Sequence, residues 1–413
     1  MTMTTKQNLD VKLNTDVDFS SYKTLAKEAV DDIKSRAGKK GQFLNWINFL
    51  PQNQIDNIDT IYELSKKAKN AGLSELAILG IGGSRHTTES IVKMFGIDKN
   101  IHFYSSVDPV SFKRFSDSLN LDKTLFLVVS KSGGTLETTT AYNAAKELMQ
   151  KYLNKEDVSE RFYAMTDASS EKSALRRLVD KGELSASGFV HDDVGGRFSI
   201  FDDATIFTLF FAGFSKERVI ELLNASLNAQ KIYLNDDINS NPALQLAAFN
   251  VQSKLSGKNK HFVEYFGDAF TGTTLWEKQL KNESLKSRIS TDTNVGPGYL
   301  HYNAEADLDS ENKDSFFTFV YAKTTDKTTN AVLSGVISAY SNMHPVSIIE
   351  IKDYDMVSIA EFIELKHFET LYTGNMLRRK LGILTPENEA LQEVLQPNVE
   401  IYKKEVKKAL ANM

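Results

Sequence analysis

The 413-residue chain contains no cysteine, which excludes disulfides, thiolate nucleophiles and zinc or iron–sulfur sites ligated by cysteine. Proline is scarce as well: seven occur, and no low-complexity linker interrupts the sequence. We therefore expect tightly packed units rather than domains on a flexible tether. No segment approaches about 18 uninterrupted apolar residues, and the N-terminal MTMTTKQNLDVKLNTD lacks an apolar signal core. Neither membrane spanning nor secretion is indicated, and we expect a cytoplasmic protein.

Concentrated positive charge is also absent. The formal net charge is -5, and no basic block stands out among the scattered lysines, so we do not expect an extended nucleic-acid-binding surface. Small anions can still bind, because they need only a few local donors. A chain of this length with 41% hydrophobic residues can supply the cores of two domains.

One stretch combines a buried-strand pattern with a loop of hydroxyls and glycines. Residues 124–129 read TLFLVV, and residues 130–135 read SKSGGT. The apolar, β-branched run predicts a central strand of a parallel sheet, and the amphipathic segment 135–152 predicts the helix that covers it. Glycines let the backbone approach an anion, hydroxyls donate hydrogen bonds, and the first free amides of a helix favour negative charge. The stretch therefore predicts a phosphate-binding loop.

Three hydroxyls of this loop, those of Ser130, Ser132 and Thr135, would surround one phosphoryl group. Serine and threonine also cap helices, so an ordinary polar turn between strand and helix explains the same residues equally well. A nucleotide-binding P-loop is excluded, because that motif ends in Gly-Lys-Ser/Thr and no such ending follows a glycine at the required spacing.

Strand patterns alternate with helical periodicity along most of the chain, which predicts an α/β fold. Predicted strands lie at Leu76–Ile81, Leu125–Val129, Phe162–Met165, His261–Tyr265, Phe316–Tyr321 and Val346–Ile351. Asp-Asp and Gly-Gly pairs interrupt the pattern between His191 and Ser199. We expect two doubly wound parallel-sheet domains, at residues 41–190 and 191–360. A helical extension at residues 1–40, with one helix at Tyr22–Arg36, and a helical tail at residues 361–413 complete the predicted organisation.

A second glycine turn, GIGGS at residues 80–84, follows the first predicted strand. A dinucleotide-binding fingerprint would need a third glycine where Arg85 stands and an acidic residue closing the next strand, and the sequence shows neither. We favour a sugar or phosphate contact from Gly83 and Ser84. The alternative is a tight turn that only lets the helix pack against its strand.

Two further segments carry charged residues suited to catalysis. Arg197, in the VGGRFS block at 194–199, precedes a strongly apolar helix; in a cleft it could hold a developing negative charge on oxygen, and at the surface it would pair with a nearby aspartate. Gln279 and Glu283 lie four residues apart on one predicted helix face. Flanking lysines and arginine would keep the glutamate ionised, as a general base requires, although such a pattern is more often a solvated helix face.

His301 and Lys403 are weaker candidates, because one histidine among seven is usually structural and a C-terminal lysine is usually solvated. No His/Asp/Glu spacing resembles HExxH or another metal site, and the Ser130 loop is not a nucleophile elbow.

Taken in order from Gly80 to Lys403, these blocks resemble the glucose-6-phosphate isomerase family. The family's Gly-Gly-Ser turn matches 82–84, its phosphate loop matches 130–137, and its Gly-Gly-Arg-aromatic-Ser block matches 194–199. Its glutamine and glutamate four positions apart match Gln279 and Glu283, and its terminal Gln-Pro-Gly-Val-Glu-x-x-Lys signature matches 396–403, with Asn398 in place of glycine.

The resemblance implies two sugar-isomerase (SIS) domains, no metal or organic cofactor, and interconversion of glucose 6-phosphate and fructose 6-phosphate through a cis-enediol. By the same resemblance Glu283 moves the proton between C2 and C1, Arg197 stabilises the enediolate, and His301 and Lys403 assist ring opening. Substrate-binding residues carried over from the family are Gly83, Ser84, Ser130, Lys131 (through its backbone), Ser132, Thr135, Gln279 and Gln396.

Besides Asn398, the sequence departs from the family at two places. After His301 it lacks the usual glutamine-containing continuation, and Arg85-His86-Thr87 replaces the customary small or leucine-glycine residues after the first turn. The second change could narrow the sugar pocket. Two alternative functions therefore stay open: a related SIS isomerase for another sugar phosphate, such as mannose 6-phosphate, and a regulator that binds sugar phosphate without catalysis. Family members are usually homodimers with shared active sites, so a homodimer is expected as well.

Overall fold

The computed structural model describes residues 8–383 and 391–411. Two separate five-stranded sheets occupy this part of the chain. The strands are β1 (Leu9–Leu13), β2 (Glu75–Leu79), β3 (Ile101–Tyr104), β4 (Thr124–Val129), β5 (Phe162–Thr166), β6 (Ala186–Phe189), β7 (Lys260–Phe266), β8 (Ser290–Gly296), β9 (Ser315–Ala322) and β10 (Val346–Ile351).

Helices cover both sheets. They are α1 (Lys23–Arg36), α2 (Phe49–Asp56), α3 (Ile58–Asn70), α4 (Gly83–Met94), α5 (Pro109–Asp117), α6 (Leu136–Leu153), α7 (Ala174–Asp180), α8 (Asp203–Phe211), α9 (Lys216–Tyr233), α10 (Pro242–Leu255), α11 (Thr271–Leu285), α12 (Gly298–Asp307), α13 (Lys327–Ser341), α14 (Met356–Lys380) and α15 (Pro397–Ala411). Within the described residues, none of them is long and apolar enough to cross a bilayer.

The first sheet is parallel throughout, with strands in the order β3-β2-β4-β5-β6. All six residues of β4 are buried, as a continuous apolar run in a parallel sheet requires. Strand β3 pairs with one edge of β2. The next strand, β4, pairs with the opposite edge of β2. The carboxyl ends of β2 and β4 therefore flank a topological switch point, where α/β sheets bind ligands. The turn at 80–84 and the loop at 130–135 both lie at this point.

The second sheet has the order β1-β10-β9-β7-β8. Its last four strands in chain order are parallel, whereas β1 pairs antiparallel with β10, Leu9 opposite Ile351. Strand β1 lies in the segment predicted as a helical extension, so that segment is not wholly helical.

Helices α4 and α11 join the two halves of the chain by packing against each other. A side-chain carbon at Gly272 would lie 2.5 Å from the Glu89 carbonyl oxygen, so glycine permits the close approach. The hydroxyls of Ser90 and Thr273 are hydrogen-bonded across this interface at 3.0 Å. The contact brings the first turn of α4 beside the middle of α11.

The α/β class with two parallel-sheet units is confirmed. The six predicted strands are all present, and β10 coincides with its predicted bounds. Strands β1, β3, β6 and β8 were not predicted. The division into domains stays a prediction; the boundary placed at residue 360 falls inside α14, which packs against α9 and α10.

Candidate functional site

Hydroxyl groups of the loop between β4 and α6 accept hydrogen bonds from backbone NH groups of the same loop. The backbone NH of Gly133 donates to Ser130 Oγ at 3.0 Å, and the NH of Gly134 donates to Ser132 Oγ at 3.2 Å. Gly133 has a φ of +63°, and a side-chain carbon there would lie 2.1 Å from the Leu175 nitrogen. Only glycine fits, because both the backbone angle and the packing exclude a side chain.

Thr135 occupies the N-cap position of α6, but its side chain makes no capping hydrogen bond. Its hydroxyl lies 3.4 Å from Ser130 Oγ. The Thr135 hydroxyl therefore does not cap α6, whereas the hydroxyls of Ser130 and Ser132 do stabilise the turn, and phosphate binding stays a prediction. The Thr135 side chain leaves the first amides of α6 unoccupied, and such amides attract anions.

Lys131, the second residue of this loop, turns its side chain away from the hydroxyls. Its Nζ donates to the His191 carbonyl at 3.3 Å and lies 3.6 Å from Asp192. The ammonium group is thus engaged at the block that follows β6. Phosphate contact from this residue would come through its backbone.

The first glycine turn packs directly on the arginine block. A side-chain carbon at Gly83 would lie 2.2 Å from the Gly196 carbonyl carbon, and one at Gly82 would lie 3.1 Å from Gln279 Nε2. Glycine is therefore needed at 83 for the close approach of the two backbones, and at 82 for the positive φ of +58°. Through these two glycines the turn after β2, the arginine block and α11 meet at one place.

Arg197 is fully buried at this junction and lies in a short 3₁₀ helix, Gly196–Phe198. Its Nε donates to Ser284 Oγ at 3.0 Å, its Nη1 donates to Glu283 Oε2 at 3.1 Å, and its Nη2 donates to the Glu393 carbonyl. Burial lowers the pKa of Arg197 to about 10, with Glu283 opposing the shift, so the guanidinium is charged at neutral pH. The alternative of a surface pair with Asp192, Asp193 or Asp202 is wrong.

Three donors converge on the carboxylate of Glu283. Gln279 Nε2 donates to Oε1 at 3.0 Å, while Arg197 and Gln396 Nε2 both donate to Oε2. The side chain is 24% exposed, so solvent and a ligand can reach it. The carboxylate is therefore held in a fixed orientation and is still accessible.

Two of the four cations expected around Glu283, Lys278 and Lys281, lie elsewhere, whereas Lys286 and Arg288 line a cleft together with Glu283. Lys281 is fully buried and pairs with Glu369, and Lys278 pairs with Asp292 at 2.7 Å. The prediction that flanking lysines surround Glu283 is therefore wrong for these two. Helical periodicity explains this, because Lys281 and Glu283 are two positions apart and point to different faces of α11.

The inward face of α11 carries a buried group of four charges. Glu277 and Lys281 belong to α11, and Lys366 and Glu369 belong to α14. Lys366 Nζ lies 2.7 Å from Glu277 and 2.9 Å from Glu369, so each charge has a partner. These ion pairs join α11 to α14 behind the face that carries Gln279 and Glu283.

Glu283 lines two clefts. One, of about 390 Å³, is the Gln279 cleft, lined by Ile81, Gly82, His86, Leu275, Lys278, Gln279, Asn282 and Glu283. The other, of about 400 Å³, is the Gln396 cleft, lined by Asn282, Glu283, Lys286, Ser287, Arg288, Gln396, Pro397, Asn398 and Val399. Both volumes fall in the range usual for small-molecule sites. A smaller cavity of about 110 Å³ contacts Ser84 and Lys131.

His301 and Lys403 are exposed and stand apart from this cluster. His301 lies on α12 and Lys403 on α15, two turns beyond Gln396. Neither residue lines the two clefts beside Glu283. The structure thus brings Gly83, Arg197, Gln279, Glu283 and Gln396 together within one chain, and neither His301 nor Lys403 is among the residues that line the clefts beside them.

Several functional neighbours were not predicted. Ser284 and the Glu393 carbonyl orient Arg197, and Trp276 Nε1 donates to the Arg197 carbonyl at 2.8 Å. Ser284 directly follows the candidate base in the sequence. The carbonyl leaves no signal in a side-chain pattern.

One group of potential metal ligands exists in the described part of the chain, formed by His191, Asp202 and Asp203. Its atoms already have partners: His191 Nδ1 lies 2.6 Å from Asp202 Oδ1, and the Asp203 carboxylate accepts from Gln54 and from the Phe189 NH. Protein donors thus account for this cluster, which links β6 to the N-terminus of α8.

Comparison with known proteins identifies the family. A model of the phosphoglucose isomerase family matches residues 60–322, a range that includes Arg197, Gln279 and Glu283 but ends before Gln396 and Lys403. The glucose-6-phosphate isomerase of Clostridium novyi (strain NT) is 26% identical over 429 residues, covering 94% of this chain and 91% of the relative. That of Alkaliphilus metalliredigens (strain QYMF) is 28% identical over 266 residues, covering 61% of this chain and 57% of the relative.

Solved structures share the fold. A hypothetical protein from Thermus thermophilus has a TM-score of 0.83 at 19% identity, covering 97% of this chain and 100% of its own. A glucose-6-phosphate isomerase from Chlamydia trachomatis has a TM-score of 0.80 at 17% identity, covering 99% of this chain and 89% of its own. The resemblance found in the sequence is confirmed, and since the family match spans more than half of its length, the chain belongs to the phosphoglucose isomerase family.

Proposed function

We propose that this protein interconverts glucose 6-phosphate and fructose 6-phosphate through a cis-enediol. The observation that carries the proposal is the convergence of Arg197, Gln279 and Gln396 on the Glu283 carboxylate. An aldose–ketose exchange moves one proton between adjacent carbons, so it needs one oriented carboxylate that acts first as base and then as acid. It also needs a fixed positive charge for the oxygen that becomes negative.

Glu283 would take the proton from C2 of the aldose and return it to C1. Arg197 would stabilise the enediolate that exists between the two transfers. Its guanidinium is suited to this because it is charged, buried and held by Ser284 and a carbonyl, so it need not reorganise as the charge develops. Substrate would displace the two glutamine amides from Glu283 and take their hydrogen bonds for its hydroxyls.

The phosphate would bind at the loop between β4 and α6. The uncapped amides of α6 and the hydroxyls of Ser130, Ser132 and Thr135 support this assignment, with the Lys131 backbone and the Gly83-Ser84 turn beside the sugar. Binding energy gained at this group, remote from the reacting carbons, would orient the sugar for proton transfer.

We further propose a cytoplasmic homodimer. His301 and Lys403 are exposed on α12 and α15, and their ring-opening role requires access to a site that His301 does not contact in its own chain. A second copy could present His301 to that site. A monomer by light scattering at the concentration used for assays would contradict a shared site.

The decisive experiment is turnover by the purified protein in the presence of chelator. Fructose 6-phosphate should be converted to glucose 6-phosphate, followed by a coupled dehydrogenase. Glu283→Gln should lose at least about 1,000-fold in kcat, whereas Glu311→Gln, at an exposed loop position, should match the wild type. Turnover by Glu283→Gln at the wild-type rate would contradict the mechanism. Faster turnover of mannose 6-phosphate would identify a related isomerase, and binding without turnover would identify a regulator.

A further inference from the structure

His86 lines the Gln279 cleft together with Gln279 and Glu283. It lies in the first turn of α4, and its backbone NH donates to the Gly82 carbonyl at 2.8 Å. That turn is fixed by the close contacts of Gly82 and Gly83 described above. The imidazole is thus carried on a rigid element and belongs to the same chain as the candidate base.

The buried side of the imidazole faces a carboxylate. Its Nδ1 is buried, 3.6 Å from Glu89 Oε2, and has no hydrogen-bond partner in the part of the chain that the structure describes. Glu89 is itself clamped by Arg85, which donates from Nε at 2.8 Å and from Nη2 at 3.1 Å. Because Nδ1 is buried, the 18% of the side chain that is exposed belongs to the other side of the ring.

Glu89 is an ionised partner for this ring. Burial alone would raise the pKa of Glu89, but His86 and Arg85 outweigh that effect and lower it to about 2. A carboxylate facing Nδ1 favours the tautomer that carries its proton on Nδ1. In that tautomer Nε2 has a free lone pair and can accept a proton.

We infer that His86 is a further catalytic residue, which transfers the proton between the anomeric hydroxyl and the ring oxygen during ring opening. The inference rests on the proposed isomerase function and adds a residue to the same site. It gives His86 the ring-opening role that the family resemblance assigns to His301 and Lys403, because His86 lines the same cleft as Glu283 within one chain.

The His86 imidazole can carry out both proton transfers of ring opening. His86 Nε2 takes the proton from the C1 hydroxyl, a C1=O double bond forms, and the bond between C1 and the ring oxygen breaks with its electron pair left on that oxygen. The imidazolium then gives the proton to the ring oxygen. Both oxygens are bonded to C1, so the imidazole need not move far between them. Glu283 takes no part in ring opening and is therefore still ionised when the open-chain aldehyde has formed.

Exchange between the α and β anomers of glucose 6-phosphate tests the inference, because it requires ring opening and closing but no transfer at C2. Exchange NMR would measure its rate with wild type, His86→Gln, Glu283→Gln and His301→Gln. We expect Glu283→Gln to keep the exchange and lose isomerisation, and His301→Gln to keep the exchange. His86→Gln should lose at least about tenfold in both rates, while its affinity for glucitol 6-phosphate, an open-chain compound, stays within about twofold of wild type.

The matched control is His102→Gln. His102 lies on β3, its Nε2 is 3.6 Å from Glu75 Oε2, and its side chain is 24% exposed, so it repeats the histidine–glutamate pair outside the cleft. It should leave both rates unchanged. Anomer exchange by His86→Gln at the wild-type rate would overturn the inference, as would a loss matched by an equal loss of glucitol 6-phosphate binding. A wild type that accelerates neither isomerisation nor exchange would overturn the proposed function as well.

Discussion

Arg197 and Glu283 form an ion pair of 3.1 Å in which the guanidinium is fully buried and the carboxylate is partly exposed. The arginine comes from the segment after the first sheet and the glutamate from α11. This asymmetry suits a proton-transfer site, because the cation stays fixed while the carboxylate can reach a substrate.

Replacing Arg197 by lysine should separate the contribution of its positive charge from that of its hydrogen-bond geometry. Arg197→Lys keeps a positive charge but cannot serve Glu283, Ser284 and the Glu393 carbonyl together. We expect kcat to fall about 100-fold with KM changed little, because the lost interaction strengthens in the transition state. Steady-state kinetics measure this, with Arg114→Lys on the exposed face of α5 as control. A rise in KM with kcat unchanged would assign Arg197 to ground-state binding.

Thr135 offers a test of the phosphate loop, because its hydroxyl does not cap α6. Thr135→Val should raise KM for the sugar phosphate about tenfold and leave thermal stability unchanged, since a charge-assisted hydrogen bond to phosphate contributes about 1.5 kcal/mol or more. Ser215→Ala provides the contrast. Ser215 does cap α9, so this change should lower stability by about 1 kcal/mol without altering KM. If Thr135→Val lowered stability and left KM unchanged, the threonine would be structural.

The buried charges behind α11 should dominate the stability of the second half of the chain. Lys366→Met leaves Glu277 and Glu369 short of a cation in the core, and we expect a loss of about 3–5 kcal/mol in the free energy of unfolding. Lys278→Met breaks only the exposed pair with Asp292 and should cost less than about 1 kcal/mol. Urea denaturation compares the two. Equal losses would mean that the buried pairs contribute no more than surface pairs.

Glu264 makes stability depend on pH. Burial raises its pKa to about 8, although Asn294 donates to one carboxylate oxygen at 2.9 Å and opposes the shift. A carboxyl whose pKa is higher in the folded state favours folding while it holds its proton, and that contribution is lost as the pH rises through about 8.

The urea midpoint should therefore fall between about pH 5 and about pH 8, and Glu264→Gln, which cannot ionise, should remove much of that fall. Glu311→Gln, at an exposed position, should keep the wild-type dependence. A midpoint that rises with pH over this interval would contradict the assignment.

The strands that sequence patterns missed share one property. Strands β3 and β6 are the edges of the first sheet, and β1 and β8 are the edges of the second. Edge strands have one neighbour and are partly solvated, so they lack the continuous apolar run that identified β4. In β8, for example, the sequence STDTNVG begins with five consecutive polar residues and has one aliphatic side chain, that of Val295. Central strands were therefore predictable and edges were not.

The site shows a similar division. Arg197, Gln279, Glu283 and Gln396 were predicted from short ordered blocks that resemble a family, and the structure brings them together. Their surroundings were not predicted. Lys281 is close to Glu283 in the sequence but lies on another face of the helix. The Glu393 carbonyl accepts a hydrogen bond from Arg197, which is 196 positions away in the sequence. Contacts made by the backbone across such separations leave no side-chain pattern.

Strand β1 has a consequence for the order in which the molecule can assemble. During synthesis it emerges before every other strand described, yet its partner β10 lies more than 330 residues later: Leu13 pairs with Ser347. The first sheet, by contrast, is built from one continuous stretch and can close before the rest of the chain exists. Pairing at such separation is slow, because a long loop must close before any contact is gained. We therefore expect the edge of the second sheet to be completed last, although β1 is synthesised before the other strands described.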